Sequence, residues 1–129
     1  MDAQTVIDQR VEQFENVVRG PSFPCVGAKS ALAKGNMEFV LARDMTSAWN
    51  DLKIHEALMA WAKRDLPPEE LRSLVVIFDG PLDLDEKQFE HAMWERLQSL
   101  SDKDVWLAQK PDPSVSNNPA EPDFSLSFG

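Results

Sequence analysis

The chain has 129 residues, enough for one hydrophobic core and too few for two independent ones, so a single domain over 1–129 is the expectation. Apolar residues at 43% against 27% charged residues exclude wholesale disorder. With 22 acidic and 13 basic side chains the formal charge is −9, and the bases lie singly among acids, as in Lys63-Arg64-Asp65, which argues against nucleic acid or an anionic membrane surface as partner.

Residues 1–10 lack the basic start and apolar run of a secretory signal, and no stretch approaches the roughly 18 apolar residues of a membrane span, so a cytoplasmic location is expected. Val6, Ile7, Val11, Phe14, Val17 and Val18 follow three-and-four spacing and predict a helix with one packed side, ended by Gly20-Pro21. Pro24 suits the first turn of a short helix running to Ala33 with Gly35 as its cap. Cys25 is expected at that helix start, at least half buried beside Phe23. As the single cysteine it excludes an intrachain disulfide and any multi-cysteine metal site, in keeping with a reducing compartment.

Residues 37–41 read as a short, half-buried strand. Turn and capping side chains at 44–47 lead into a second long helix to about Arg64, carrying Trp49, Leu52, Leu58, Met59 and Ala62, and Pro67-Pro68 closes it. The β-branched and aromatic run at 74–78 lies between Ser73 and Asp79-Gly80-Pro81 and predicts a central strand, with Val75, Val76 and Ile77 nearly inaccessible. A third helix is predicted from near Asp85, packing through Phe89, Met93, Leu97 and Leu100. From Ser101 the pattern gives way to Asp112-Pro113, Asn117-Asn118-Pro119 and Pro122, so 102–122 is expected to be loop-rich. Residues 124–128 alternate apolar and polar side chains and read as a last strand. This order of elements predicts an α+β fold, a small mixed or antiparallel sheet packed by about three main helices.

The sequence has no phosphate-cradling Gly-rich loop, no Gly-x-Ser-x-Gly elbow and no pair of histidines at metal-ligand spacing. His55 and His91 each read as a partly exposed helix residue in preference to a ligand. Asp83, Asp85, Glu86 and Glu90 would suit bidentate contact with a guanidinium, but capping and the helix dipole explain acids at a helix start, and that reading is preferred.

An ordered set of blocks resembles the YqcI/YcgG family. It comprises Phe23-Pro24-Cys25-Val26-Gly27-Ala28-Lys29-Ser30-Ala31, the run 74–78 with Pro81, Phe89-Glu90 with Trp94, Leu97, Gln98 and Leu100, then Asp104, Trp106, Asp112-Pro113 and Phe124-Ser125-Leu126-Ser127-Phe128-Gly129. The chain departs from many relatives at Ser101-Asp102, where they carry a histidine before the aspartate. The family continues past the Phe-Gly strand, so the resemblance implies an N-terminal half and an incomplete domain.

What the resemblance implies about activity is a haem-dependent oxygenase that N-hydroxylates a guanidino compound such as an arginine-like substrate. Cys25 would then be the candidate iron ligand, since free N–H groups at a helix start suit a thiolate. A small buried hydrophobe is the favoured reading of the same residue. Phe23, Trp94 and Trp106 are candidates to wall a haem slot, with core packing favoured for Trp94. The competing function is a non-catalytic truncated remnant or a binding module, oligomerising with copies of itself through the C-terminal strand.

Overall fold

A computed structural model describes residues 3–67, 69–107, 113–116, 118, 120–122 and 124. The element order is α1 (Ala3–Arg19), α2 (Val26–Ala33), β1 (Met37–Asp44), α3 (Asp51–Ala62), β2 (Ser73–Gly80) and α4 (Glu86–Trp106). The α+β class expected from the sequence is borne out. β1 and β2 pair in parallel: the Ser73 N–H donates to the Asn36 carbonyl at one end, and the Met45 N–H donates to the Gly80 carbonyl at the other. A mixed or antiparallel sheet was the sequence expectation; the described pair runs parallel because the long connection 45–72, with α3 inside it, returns the chain to the same end before β2 begins.

The chain divides into two compact units, Met1–Leu41 with Arg64–Ile77, and Ala42–Lys63 with Phe78–Gly129. In the first, α1 covers only part of the stripe predicted for it: Ile7, Val11 and Phe14 are half-buried, whereas Val6 is 37% and Val17 60% exposed, because α1 packs over the Phe14–Val18 side and leaves the flank with Val17 in water. Val18 is fully buried, and the Phe14 ring meets Phe39 of β1 edge-on at 6.0 Å. Lys29 reaches back from α2 and donates from Nζ to the Gly20 carbonyl at 2.6 Å, covering an acceptor just past the end of α1. α2 ends at Ala33 as predicted, but its C-cap is Lys34 where Gly35 was expected; Gly35 follows at φ +72°, in the left-handed region that glycine enters without steric penalty. Asn36, 4% exposed, donates from Nδ2 to Glu70 Oε2 at 3.0 Å and so ties the entry to β1 to the segment before β2.

β2 is a strand, as the run 74–78 predicts, but Val75, Val76 and Ile77 are half-buried rather than inaccessible. Composition gives the strand, whereas burial depends on neighbours, and among the described residues the sheet has two strands.

In the second unit the turn 44–47 forms as expected, with Asp44 Oδ1 accepting from the Thr46 N–H at 2.8 Å and its hydroxyl at 2.6 Å. α3 starts later than predicted, with Asn50 as its N-cap residue. Trp49 therefore precedes the helix and is 77% exposed, outside the packed face assigned to it. Asp85 caps α4 in a reciprocal capping box with Gln88. The helix then runs through Ser101, where a loop was expected, to Trp106, so 102–106 is helical. Its buried stripe is Ala92, Arg96, Leu100 and Asp104, at strict four-residue spacing, while Phe89 is 53% exposed. The correction has a physical cause, because α4 packs on α3 through paired charges as well as apolar side chains. The strand expected at 124–128, and the oligomer contact placed there, lie outside the described residues apart from Phe124, which forms an isolated parallel bridge with Ser116.

Candidate functional site

Cys25 is the N-cap of α2, at the helix start where the sequence places it. Its Sγ accepts the Ala28 N–H at 3.4 Å, the bond that serine or aspartate makes at such positions. The thiol is exposed, contrary to the expected burial, because capping turns it toward the helix terminus instead of the core. Phe23, half-buried, carries the Lys29 ammonium 5.9 Å from its ring centroid.

The second unit holds a polar cluster that the sequence reading did not identify. Asp51 is fully buried in the first turn of α3 and accepts from Arg96 of α4 at 2.9 Å. Ser99, one turn beyond Arg96, donates a short hydrogen bond to the other Asp51 oxygen. One turn along α3 from Asp51, His55 is 4% exposed, and its Nε2 lies 2.7 Å from Oδ1 of Asp104, itself 2% exposed. His55 was expected on the surface; the Asp104 carboxylate, arriving from the facing helix, gives its ring a buried partner. His91 is the exposed helix residue expected, 3.0 Å from Glu95 one turn on. The only signal in the sequence for the cluster is a pair of stripes, Asp51 and His55 on one helix and Arg96, Ser99 and Asp104 on the other. Complementarity of that kind becomes visible once the two helices face each other.

His55 also forms part of the wall of an open groove of about 620 Å³ with Leu52, Met59 and Leu107. A second cavity, of about 450 Å³, is lined by Leu52, Asp102, Lys103 and Trp106. In the first unit a cavity of about 320 Å³ lies between α1 and α2, with Arg19 and Lys29 at its walls. Lys29 already serves Gly20, and Arg19 lies 3.7 Å from Glu15. The acids Asp83, Asp85, Glu86 and Glu90 are exposed around the start of α4, and Asp85 there is occupied by capping.

A haem site needs an iron ligand and apolar walls in one place. Phe23 and Cys25 belong to the first unit, Trp94 and Trp106 to the second. Trp94 is half-buried, its ring 5.6 Å from that of Phe124. Trp106 lies about 18 Å further along α4, at ~1.5 Å per residue, and is 74% exposed. None of the three cavities is lined by Cys25. Among the described residues no group of three or more His, Cys, Asp or Glu is placed to hold a metal ion. The candidate ligand Cys25 with Phe23, and the candidate walls Trp94 and Trp106, thus fall in different units. Among the described residues, no helix is long and apolar enough to cross a membrane.

The model of the YqcI/YcgG family matches residues 14–129. Comparison with curated proteins gives no match, and comparison with solved structures gives none.

Proposed function

The chain belongs to the YqcI/YcgG family, and from that premise we propose that it serves the haem-dependent N-hydroxylation of a guanidino compound, the activity that the resemblance of its sequence implies. The observation that supports this reading is the extent of the match, residues 14–129, which takes in the Cys25 block, β2 and all of α4. N-hydroxylation inserts one atom of O2 into an N–H bond and releases the other as water, with two electrons and two protons from an external reductant. Haem supplies the oxygen activation when bound. Cys25 is the one thiol this sequence offers to iron, and it is exposed. The α3–α4 pair, joined by the buried Asp51–Arg96 ion pair and the buried His55–Asp104 hydrogen bond, supplies a support of the kind that precise sites require.

The test is the absorption spectrum of the chain expressed with a haem precursor. The expected result is a Soret band whose iron content scales with protein, together with oxygen-dependent hydroxylation of an arginine-like substrate when a reductant is supplied. Loss of a thiolate-type band in Cys25→Ala would assign the ligand. Colourless protein without turnover would overturn the enzyme reading. The non-catalytic alternative, a binding module, is favoured by one observation, the large apolar side chains left in water at the second unit's α3–α4 face.

A further inference from the structure

We propose that the exposed face formed by α3 and the C-terminal end of α4 is an interface for a second copy of this chain. Leu52 is 53% exposed, Trp106 74% and Leu107 42%. They are continuous: Leu52 lies between two cavities, one of about 620 Å³ shared with Leu107 and one of about 450 Å³ shared with Trp106. An indole so exposed leaves on the order of 150 Å² of side chain in water, and tryptophan is among the residue types most enriched at interface hot spots. A ridge of leucine between two hollows, with tryptophan beside it, gives a partner both a knob and holes.

The charges around this face identify the occupant. The first cavity carries Glu56 and Lys63 at its wall, the second Asp102 and Lys103. Each holds one acid and one base and is locally neutral, although the whole chain carries −9. Elsewhere the excess of acid opposes the approach of a second copy. Here a copy brought in by a two-fold axis presents the same neutral set, so the net repulsion that opposes contact elsewhere is absent and the apolar ridges can bury each other in an isologous contact. A strongly basic partner would gain more from the acid-rich remainder of the surface than from a neutral patch.

This interface does not depend on haem, so its test is separate from that of the proposed activity. Sedimentation equilibrium of the full chain from about 1 to about 100 µM spans a micromolar association. A monomer–dimer equilibrium is expected, strengthened by added salt because salt screens the net repulsion between two acidic molecules. Trp106→Glu and Leu52→Asp should each weaken it by about tenfold or more. Both side chains are exposed, so circular dichroism and melting should be unchanged. Leu82→Asp, at a residue 88% exposed that lines neither cavity, is the control expected to leave dimerisation intact. A chain monomeric throughout this range, a dimer indifferent to Trp106→Glu and Leu52→Asp, or one weakened equally by Leu82→Asp would overturn the proposal.

Discussion

Replacing Asp51 with alanine leaves the Arg96 guanidinium without the carboxylate that neutralises it and the Ser99 hydroxyl without its acceptor. The side chains of Arg96 and Asp51 are 11% and 1% exposed, so water cannot enter fully to replace the lost partner. Removing one member of a buried pair costs about 3–5 kcal/mol, and the residual exposure of Arg96 places the expected loss near the lower end, about 3 kcal/mol. Against a total stability of roughly 5–15 kcal/mol, that is a large fraction. For a chain of this length it corresponds to a fall in Tm of roughly 10–15 °C. Urea denaturation followed by circular dichroism measures the loss. The double variant Asp51→Leu with Arg96→Met removes both charges and fills a similar volume, so it should recover most of the stability. A single variant costing under about 1 kcal/mol, or a double variant no better than the single, would show that the pair does not hold α3 to α4.

The turn 44–47 should be acid-sensitive. Bonds from the Thr46 hydroxyl and N–H, aided by the charge of Arg96, hold the Asp44 carboxyl below its ordinary range despite the opposing effect of desolvation. Because the folded value is the lower one, the stability it contributes is fully present above the unfolded value of about 3.9 and is lost as pH falls through the folded value. Carboxyl-carbon NMR should find Asp44 titrating low, and Thr46→Val should move it back up; an unmoved titration would remove the hydroxyl from the account. At α2, Cys25→Ser keeps a cap and should leave stability unchanged or raised, whereas Cys25→Ala should cost about 0.5–1 kcal/mol. The exposed thiol should react with a disulfide reagent in the folded chain, and protection from that reagent would contradict its placement.

The parts of this fold legible in the sequence are those set by local chemistry. The α1 helix, the Gly35 turn after α2, the β-branched run of β2 and the acidic start of α4 each depend on residues within a few positions of one another. What was not legible depends on a facing element. Reading α4 by apolar spacing chose Phe89, Met93, Leu97 and Leu100, and only Leu100 belongs to the buried stripe. Arg96 and Asp104 look like solvated charges until Asp51 and His55 stand opposite them. The same dependence explains β2, whose five apolar residues are half-buried because a strand's burial is decided by how many elements lie on and beside it. For Cys25 the position was legible and the burial was not, since a capping sulfur faces its helix terminus.

These two kinds of charge placement on α3 and α4 have different consequences. The buried pairs, Asp51 with Arg96 and His55 with Asp104, leave the helix pair few alternative packings, because sliding either helix by one turn would strand a charge in the interior. A face built on such a pair keeps its shape, and its exposed apolar side chains then present fixed geometry to a partner instead of an adaptable surface. That favours tight recognition, since little conformational entropy remains to be lost on binding. The balanced outer charges Glu56, Lys63, Asp102 and Lys103 select the partner, and the unbalanced acid of the remaining surface discourages contact anywhere else. Rigidity below and neutrality above thus converge on Leu52 and Trp106, where exposed apolar area, hollows and matched charge coincide in the second unit.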